Sequence, residues 1–200
     1  MSSQSRKYSL KVRAEKQADT CRRIVEATAA LHEEIGPVRT TVAEIARRAG
    51  VQRLTVYNNF PDDTALFSAC GAHWLTENPL PDPAAALGIK HPGQRLLAVL
   101  GPLYAWYRKT ARMNENLYRD RLVLPALDAI MRMRRDEPFD DLLVALVAGF
   151  RPPQELATGL RAAIALALDF WTWRRLSGEG MADGEAAALM VGAVKTAARG

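Results

Sequence analysis

The stretch Thr40-Thr41-Val42-Ala43-Glu44-Ile45-Ala46-Arg47-Arg48-Ala49-Gly50-Val51-Gln52-Arg53-Leu54-Thr55-Val56-Tyr57-Asn58-Asn59-Phe60-Pro61 spells two short helices around one glycine. Thr41 and Glu44 have the spacing of a capping box, in which the hydroxyl takes the amide three residues on and the acid reaches back. A helix over 42–48 follows. Gly50 supplies the left-handed residue that lets the chain leave it, and Val51 plugs the angle to the next element. A second short helix is predicted over 53–59, stopped by Pro61. Val56 and Phe60, four apart, pack inward; Arg53, Thr55, Asn58 and Asn59 point outward. Two short helices joined by a tight glycine turn form a helix-turn-helix, whose second helix has the width of a major groove.

Upstream, Cys21, Ile24, Val25, Thr28, Leu31 and Ile35 recur at three- and four-residue steps, predicting an amphipathic helix over about 16–35 that Gly36-Pro37 ends. Downstream, Asp62 caps a helix whose apolar face is Leu66, Phe67, Cys70 and Trp74. Residues 78–92, with four prolines, read as a loop. Helices are then expected near 94–113, 115–133, 138–148, 153–176 and 183–198. No segment alternates as a strand does. The fold class is therefore all-α, with about nine helices in total.

Composition narrows the function. The 200-residue chain is 48% hydrophobic and 24% charged, as soluble globular proteins are. Its longest apolar run, 162–173, contains Asp169 and Thr172 and falls short of the ~20 residues that span a bilayer, so it is expected to be a buried helix and no membrane partner is expected. Arg6, Lys7, Lys11 and Arg13 precede no apolar region, so no secretory signal is read and a cytoplasmic location is expected. Two cysteines, Cys21 and Cys70, agree with a reducing compartment. The net charge of +5 is unevenly placed: residues 1–60 hold 11 Lys/Arg and 6 Asp/Glu, whereas residues 61–200 hold 16 of each. A solubilising surface would explain the total but not its confinement, while a polyanion such as DNA would be drawn to that end.

The predicted second helix carries groups that read base edges. Arg53 suits guanine, Asn58 and Asn59 suit adenine, and Thr55 or Leu54 suits the thymine methyl. Thr40, Thr41, Tyr57 and Asn59 are placed for phosphate contacts, which set register and not sequence. The lesser alternative for Tyr57 is a half-buried core aromatic, and Thr41 reads equally as a cap alone. No catalytic constellation is present among His32, His73 and His91, with no phosphate-binding glycine loop and no nucleophile motif, so an enzyme is not expected. Cys70 and His73 are three apart, but two ligands do not make a metal site; no metal and no cofactor are expected.

These residues, from Thr40 to Val51, Thr55 to Pro61 and then Ala65-Leu66-Phe67, resemble in order and without gaps the N-terminal domain of TetR-type repressors, over about residues 15–70. Gln52 stands where that family usually has Ser or Thr, which leaves Gln52 to contact DNA in place of capping. Asn59 stands where His is common. Asp63 replaces a frequent Lys and instead complements the dipole of its own helix. The resemblance implies a flexible basic tail over 1–14, a DNA-binding domain over 15–61 and a ligand-binding and dimerisation domain over 62–200. It implies a repressor, released from a palindromic operator in double-stranded DNA when a small molecule shifts the helix starting at Asp62. Residues 169–176 and 185–190 look like the family's last two helices, which pair with a second copy as a four-helix bundle, and the alanines at 162, 163, 165, 167 and 186–188 allow such close approach. Tyr104, Trp106, Tyr107, Met113, Tyr118 and Trp171, with Asn116 and Arg121 as polar groups, are the candidates for an apolar or aromatic ligand, although helical spacing suits an ordinary core as well. The competing reading is a helical adaptor that binds another protein and has no DNA function.

Overall fold

The computed structural model describes residues 3–199, the side chains of 3–7 and 9 excepted. Every regular element among the described residues is a helix, so the protein is all-α as its patterning predicts. The chain forms two compact units, Met1–Asn78 with Glu115–Ile130, and Pro79–Asn114 with Met131–Gly200.

In the first unit, α1 (Ser3–Ile35) packs against α2 (Val42–Ala49) and α4 (Asp63–Glu77), and α2 packs against α3 (Arg53–Asn59). Ile24, Val25 and Leu31 of α1 are buried with Ile45 and Ala46 of α2, Val56 of α3, and Leu66, Phe67 and Cys70 of α4. The helix α1 begins at Ser3, not near residue 16, so most of the stretch expected as a tail over 1–14 is helical; residues 1 and 2 of that stretch lie outside the described residues. No proline or glycine interrupts this stretch, and Lys11 and Glu15 pair at 3.9 Å one turn apart. Apolar periodicity starts only at Cys21 because it reports packing, and the described side chains from Tyr8 to Asp19 are not buried.

The end of α1 is secured from the segment Glu115–Ile130. Asn116, near the end of α6 (Pro92–Asp120), donates from Nδ2 to the carbonyls of His32 and Glu33, 2.9 Å each. Val38 N–H donates to Asp120 Oδ2 at 3.0 Å. His32 is buried beside Phe67, its Nδ1 3.7 Å from Cys70 Sγ. Burial lowers its pKa to about 4, against a smaller upward pull from Asp120. The Cys70 sulfur thus meets an imidazole from another helix.

In the second unit, α9 (Gln154–Leu168) packs against α8 (Glu137–Phe150), α10 (Phe170–Gly178) and α11 (Asp183–Ala197). Two boundaries differ from the sequence reading. The helices expected over 94–113 and 115–133 are continuous through 114, where Asn114 donates within α6 to Thr110 Oγ1 at 2.8 Å and accepts from Arg135 Nη1. The break falls at 121–124, before Pro125, which starts α7 (Pro125–Met131); a five-residue π-helical turn, Arg132–Asp136, then leads into α8. The helix expected over 153–176 is instead interrupted at Asp169, which caps α10 by accepting from Thr172 N–H at 2.7 Å. The carbonyls freed by that break take tyrosine hydroxyls: Tyr104 donates to Ala167 O at 2.8 Å and Tyr107 to Leu168 O at 2.7 Å. A short helix, α5 (Ala84–Leu87), lies within the expected loop.

Candidate nucleic-acid interface

The geometry of α2, the turn and α3 follows from local chemistry. Thr41 Oγ1 accepts from Glu44 N–H at 3.2 Å, the first half of the capping box. The second half is replaced, since the Glu44 carboxylate turns to Arg47, whose Nε and Nη2 donate at 3.0 and 2.5 Å. The Arg47 hydrogen bond outweighs desolvation and holds the Glu44 carboxyl below its ordinary range. Gly50 adopts φ 64°, Gly50 N–H reaches Arg47 O at 3.3 Å and Val51 N–H reaches Ala46 O at 2.9 Å, a Schellman ending that turns the chain into α3. Arg48 fixes α2 to α1 through Glu34 at 2.8 Å.

On α3, Val56 is 1% exposed and Phe60 is buried below it, which anchors the helix by one side. The opposite side presents Arg53, Leu54, Tyr57 and Asn58, at the steps of a single helical face; Leu54 is 65% and Tyr57 54% exposed. Arg53 forms no ion pair among the described residues. Gln52 occupies the N-cap position of α3 with no side-chain capping bond and is exposed. Asp62 caps α4 through Ala65 N–H at 2.7 Å, and Asp63 lies in the first turn of α4.

The other candidates are turned inward to differing degrees. Thr55 and Asn59 are half-buried, and Asn59 Nδ2 donates to Thr55 O at 2.7 Å within its own helix. Thr40 is half-buried, its hydroxyl donating to Gly36 O at 2.9 Å, while Thr41 is exposed. Arg39, exposed just ahead of these threonines, escaped the sequence reading; a basic residue preceding a capping box was the available signal.

The eight ligand candidates fall in different units. Asn116, Tyr118 and Arg121 belong to the first, where Asn116 is committed to α1 and Arg121 Nε donates to Asp128 at 2.7 Å. Tyr104, Trp106, Tyr107 and Met113 are buried in the second, and Trp171 is 48% exposed there. A cavity of about 190 Å³ in that unit lies among the loop at 80–83, Pro102 and Leu103 of α6, and Phe139 of α8. None of the eight lines it, yet Arg135 links the two sets. Its guanidinium lies 5.3 Å from the Trp106 ring centroid and 5.8 Å from those of Tyr107 and Phe139, with Nη1 donating to Asn114 Oδ1 at 2.6 Å. Pro102 has no N–H for the α-helical bond to Ala98 O, and Ala98 also lines the cavity.

A three-helix head whose last helix is anchored inward and bare outward defines a helix-turn-helix protein. Residues 24–70 match the profile of the bacterial regulatory proteins, tetR family. Over 52 residues it is 48% identical to HTH-type transcriptional regulators of Mycobacterium tuberculosis and Mycobacterium bovis, a match covering 26% of this chain and 28% of theirs. The chain thus spans well under half the length of the curated relatives it matches. Across 87% of this chain and 92% of the other, its fold resembles a TetR-like transcriptional regulator from Rhodococcus sp. RHA1, with a TM-score of 0.55 and 18% identity.

Proposed function

We propose that the protein is a sequence-specific DNA-binding repressor that a small apolar or aromatic molecule releases from its operator. The observation that carries this reading is α3: Val56 and Phe60 hold it to the head while Arg53, Leu54, Tyr57 and Asn58 stand in water. In this reading Arg53, Asn58, Gln52 and the methyl-bearing Thr55 and Leu54 face base edges, and Thr40, Thr41, Tyr57, Asn59 and Arg39 serve the phosphates. The confinement of excess positive charge to residues 1–60 supports it.

The operator is palindromic because the protein acts as a homodimer through α9 to α11. Leu166, Trp171 and Leu189 are exposed on those helices, and Ala162, Ala188 and Gly192 beside them leave room for a second backbone. Two α3 helices then enter successive major grooves about 34 Å apart. The effector occupies the unit made of Pro79–Asn114 and Met131–Gly200, where the small cavity beside Pro102 and the aromatic side chains around Arg135 give an apolar setting. At about 190 Å³ the cavity is smaller than the ~300–1,000 Å³ of ordinary ligand sites, so the ligand widens it on binding.

Gel-shift titration against salt tests the reading. A dimer making ~8 phosphate contacts gives a log-log slope near −7. The absence of a specific shift on any duplex selected from a random pool would favour a protein-binding adaptor instead.

A further inference from the structure

The head is not the only part of the first unit that carries unbalanced charge. Residues 1–20 hold five Lys/Arg, at 6, 7, 11, 13 and 16, against Glu15 and Asp19, a net +3 of the chain's +5. From Tyr8 to Asp19 no described side chain is buried and all but the half-buried Val12 are exposed, so this length of α1 contributes nothing to the core. A helix that buries nothing is marginal by itself in water and gains most from a partner.

Its charges are sorted by face. Positions 13, 16, 20 and 23 follow one another at alternating three- and four-residue steps, which places Arg13, Lys16, Thr20 and Arg23 in one row composed wholly of hydrogen-bond donors. The acids lie off this row. Glu15 is taken by Lys11 at 3.9 Å, and Asp19 by Arg22 at 2.5 Å and Arg23 at 3.4 Å. Arg13 and Lys16 are exposed and form no ion pair among the described residues. The row also leads to the helix-turn-helix: a Cβ placed on Gly50, in the turn before α3, would lie 3.8 Å from Arg23 Nη1. Going back from Arg23, the helix extends about 22 Å to Tyr8 at 1.5 Å per residue, starting beside the turn that feeds Gln52 and Arg53 into place.

We propose that the leading half of α1 is a second DNA-contacting element, in which Arg13 and Lys16 lie along the phosphates flanking the groove that α3 enters. This rests on the DNA-binding reading above. The occupant is a polyanionic backbone and not a base sequence, because ammonium and guanidinium groups at one-turn spacing on an exposed helix match repeating charge and offer no rigid fork toward a base edge. The contribution is to affinity and its salt dependence, with base preference left to α3.

The test compares full-length wild type, the double variant Arg13→Gln/Lys16→Gln and the single variant Lys11→Gln on a mixed-sequence duplex, by anisotropy over a salt series. All three positions are exposed, so the fold is not at stake. The expected result is a salt slope shallower by about 1.8 per bound protomer in the double variant, ~0.9 for each phosphate left without its cation, and an unchanged slope for Lys11→Gln, which lies on the other face. An unchanged slope in the double variant, with wild type still binding, would overturn the arm and leave the α3 reading intact. An equally shallow slope for Lys11→Gln would overturn it too, since a diffuse field and not a docked face would then be acting. Failure of wild type to bind any duplex would remove the parent reading itself.

Discussion

Asn116 holds the last turn of α1 by its main chain, Nδ2 lying 2.9 Å from the carbonyl oxygen of His32, and the same nitrogen reaches Glu33 O. Gly36 N–H also reaches His32 O at 3.1 Å, whereas the residue four beyond Glu33 is Pro37, which has no N–H to give. Asn116 is itself buried, with Oδ1 accepting from Arg119 at 3.0 Å. Asn116→Ala leaves the carbonyls without this donor and is expected to lower the stability of the head by about 1 to 3 kcal/mol. The urea midpoint of the variant measures it. A midpoint equal to that of wild type would show that water enters and takes over both bonds.

His32 gives the head a pH dependence with a definite sign. In the folded head its imidazole takes a proton only near pH 4, whereas the unfolded chain takes one near 6.5. Between those values the unfolded state binds more protons, so stability is fully present above about pH 6.5 and falls as pH drops toward 4, levelling below it. The decrease is on the order of 3 kcal/mol across the window. The groups facing the ring are Asp120 of α6, Cys70 and Phe67 of α4, and none replaces the water that a charged imidazole needs. His32→Gln should flatten the difference in unfolding free energy between pH 7 and pH 4.5. Equal pH profiles for the two proteins would assign the acid sensitivity elsewhere.

Two glycines with positive φ separate backbone strain from crowding. Gly50, at φ 64°, would give an added Cβ only an ordinary contact, Arg23 Nη1 at 3.8 Å, so Gly50→Ala is expected to cost about 1 kcal/mol for the left-handed conformation alone. Gly36, at φ 90° and ψ 155°, lies in a region nearly restricted to glycine, and a Cβ there would collide with the side chains of Arg119 and Asp120. Displacing Asp120 also breaks its bond from Val38 N–H. Gly36→Ala should therefore cost about 2 to 4 kcal/mol. Thermal unfolding of both variants checks the order, and a smaller effect at Gly36 would contradict the crowding.

Rules acting over a few residues made the head legible in sequence: the Thr41 cap, the left-handed Gly50 and the inward pair Val56 and Phe60 are each fixed by neighbours within a turn or two. What escaped depends on which group arrives first. Glu44 is captured by Arg47 before it can reach back to its N-cap, and Asn59 spends its amide on Thr55 O. The length of α1 was hidden because apolar periodicity marks packing and its leading half buries nothing. The break at Asp169 was hidden inside an apolar run, since Asp caps a helix only if donors elsewhere take the carbonyls it frees. Those donors, Tyr104 and Tyr107, lie more than sixty residues away in sequence. Spacing alone likewise could not show that Asn116, Tyr118 and Arg121 belong to one unit and Tyr104, Trp106 and Tyr107 to the other.

The same two tyrosines yield a further expectation. Both are fully buried, and burial pushes the Tyr104 phenol pKa upward, so that hydroxyl stays a neutral donor. Replacing either by Phe leaves the ring packing intact but orphans a carbonyl at the end of α9, at a cost of about 1 to 3 kcal/mol each. Calorimetry on Tyr104→Phe and Tyr107→Phe would show lowered melting temperatures. If both variants melted with wild type, the α9–α10 junction would be drawing its donors from solvent.

Arg53 and Tyr57 stand one turn apart on the bare face of α3 and should fail differently. A guanidinium that reads a guanine edge discriminates one base pair, so Arg53→Ala is expected to relax preference there by about ten- to a hundredfold while other positions of the site keep theirs. In the proposed reading Tyr57 meets a phosphate and carries no base information, so Tyr57→Phe should weaken all duplexes by a common factor and leave the preference profile unchanged. Neither side chain is part of the core that Val56 and Phe60 form, so unfolding temperatures should match wild type and isolate the effect on binding. Selection from a random-sequence pool with each variant, scored position by position, measures both. A uniform weakening from Arg53→Ala would move that residue to the phosphates and leave base reading to Gln52 and Asn58.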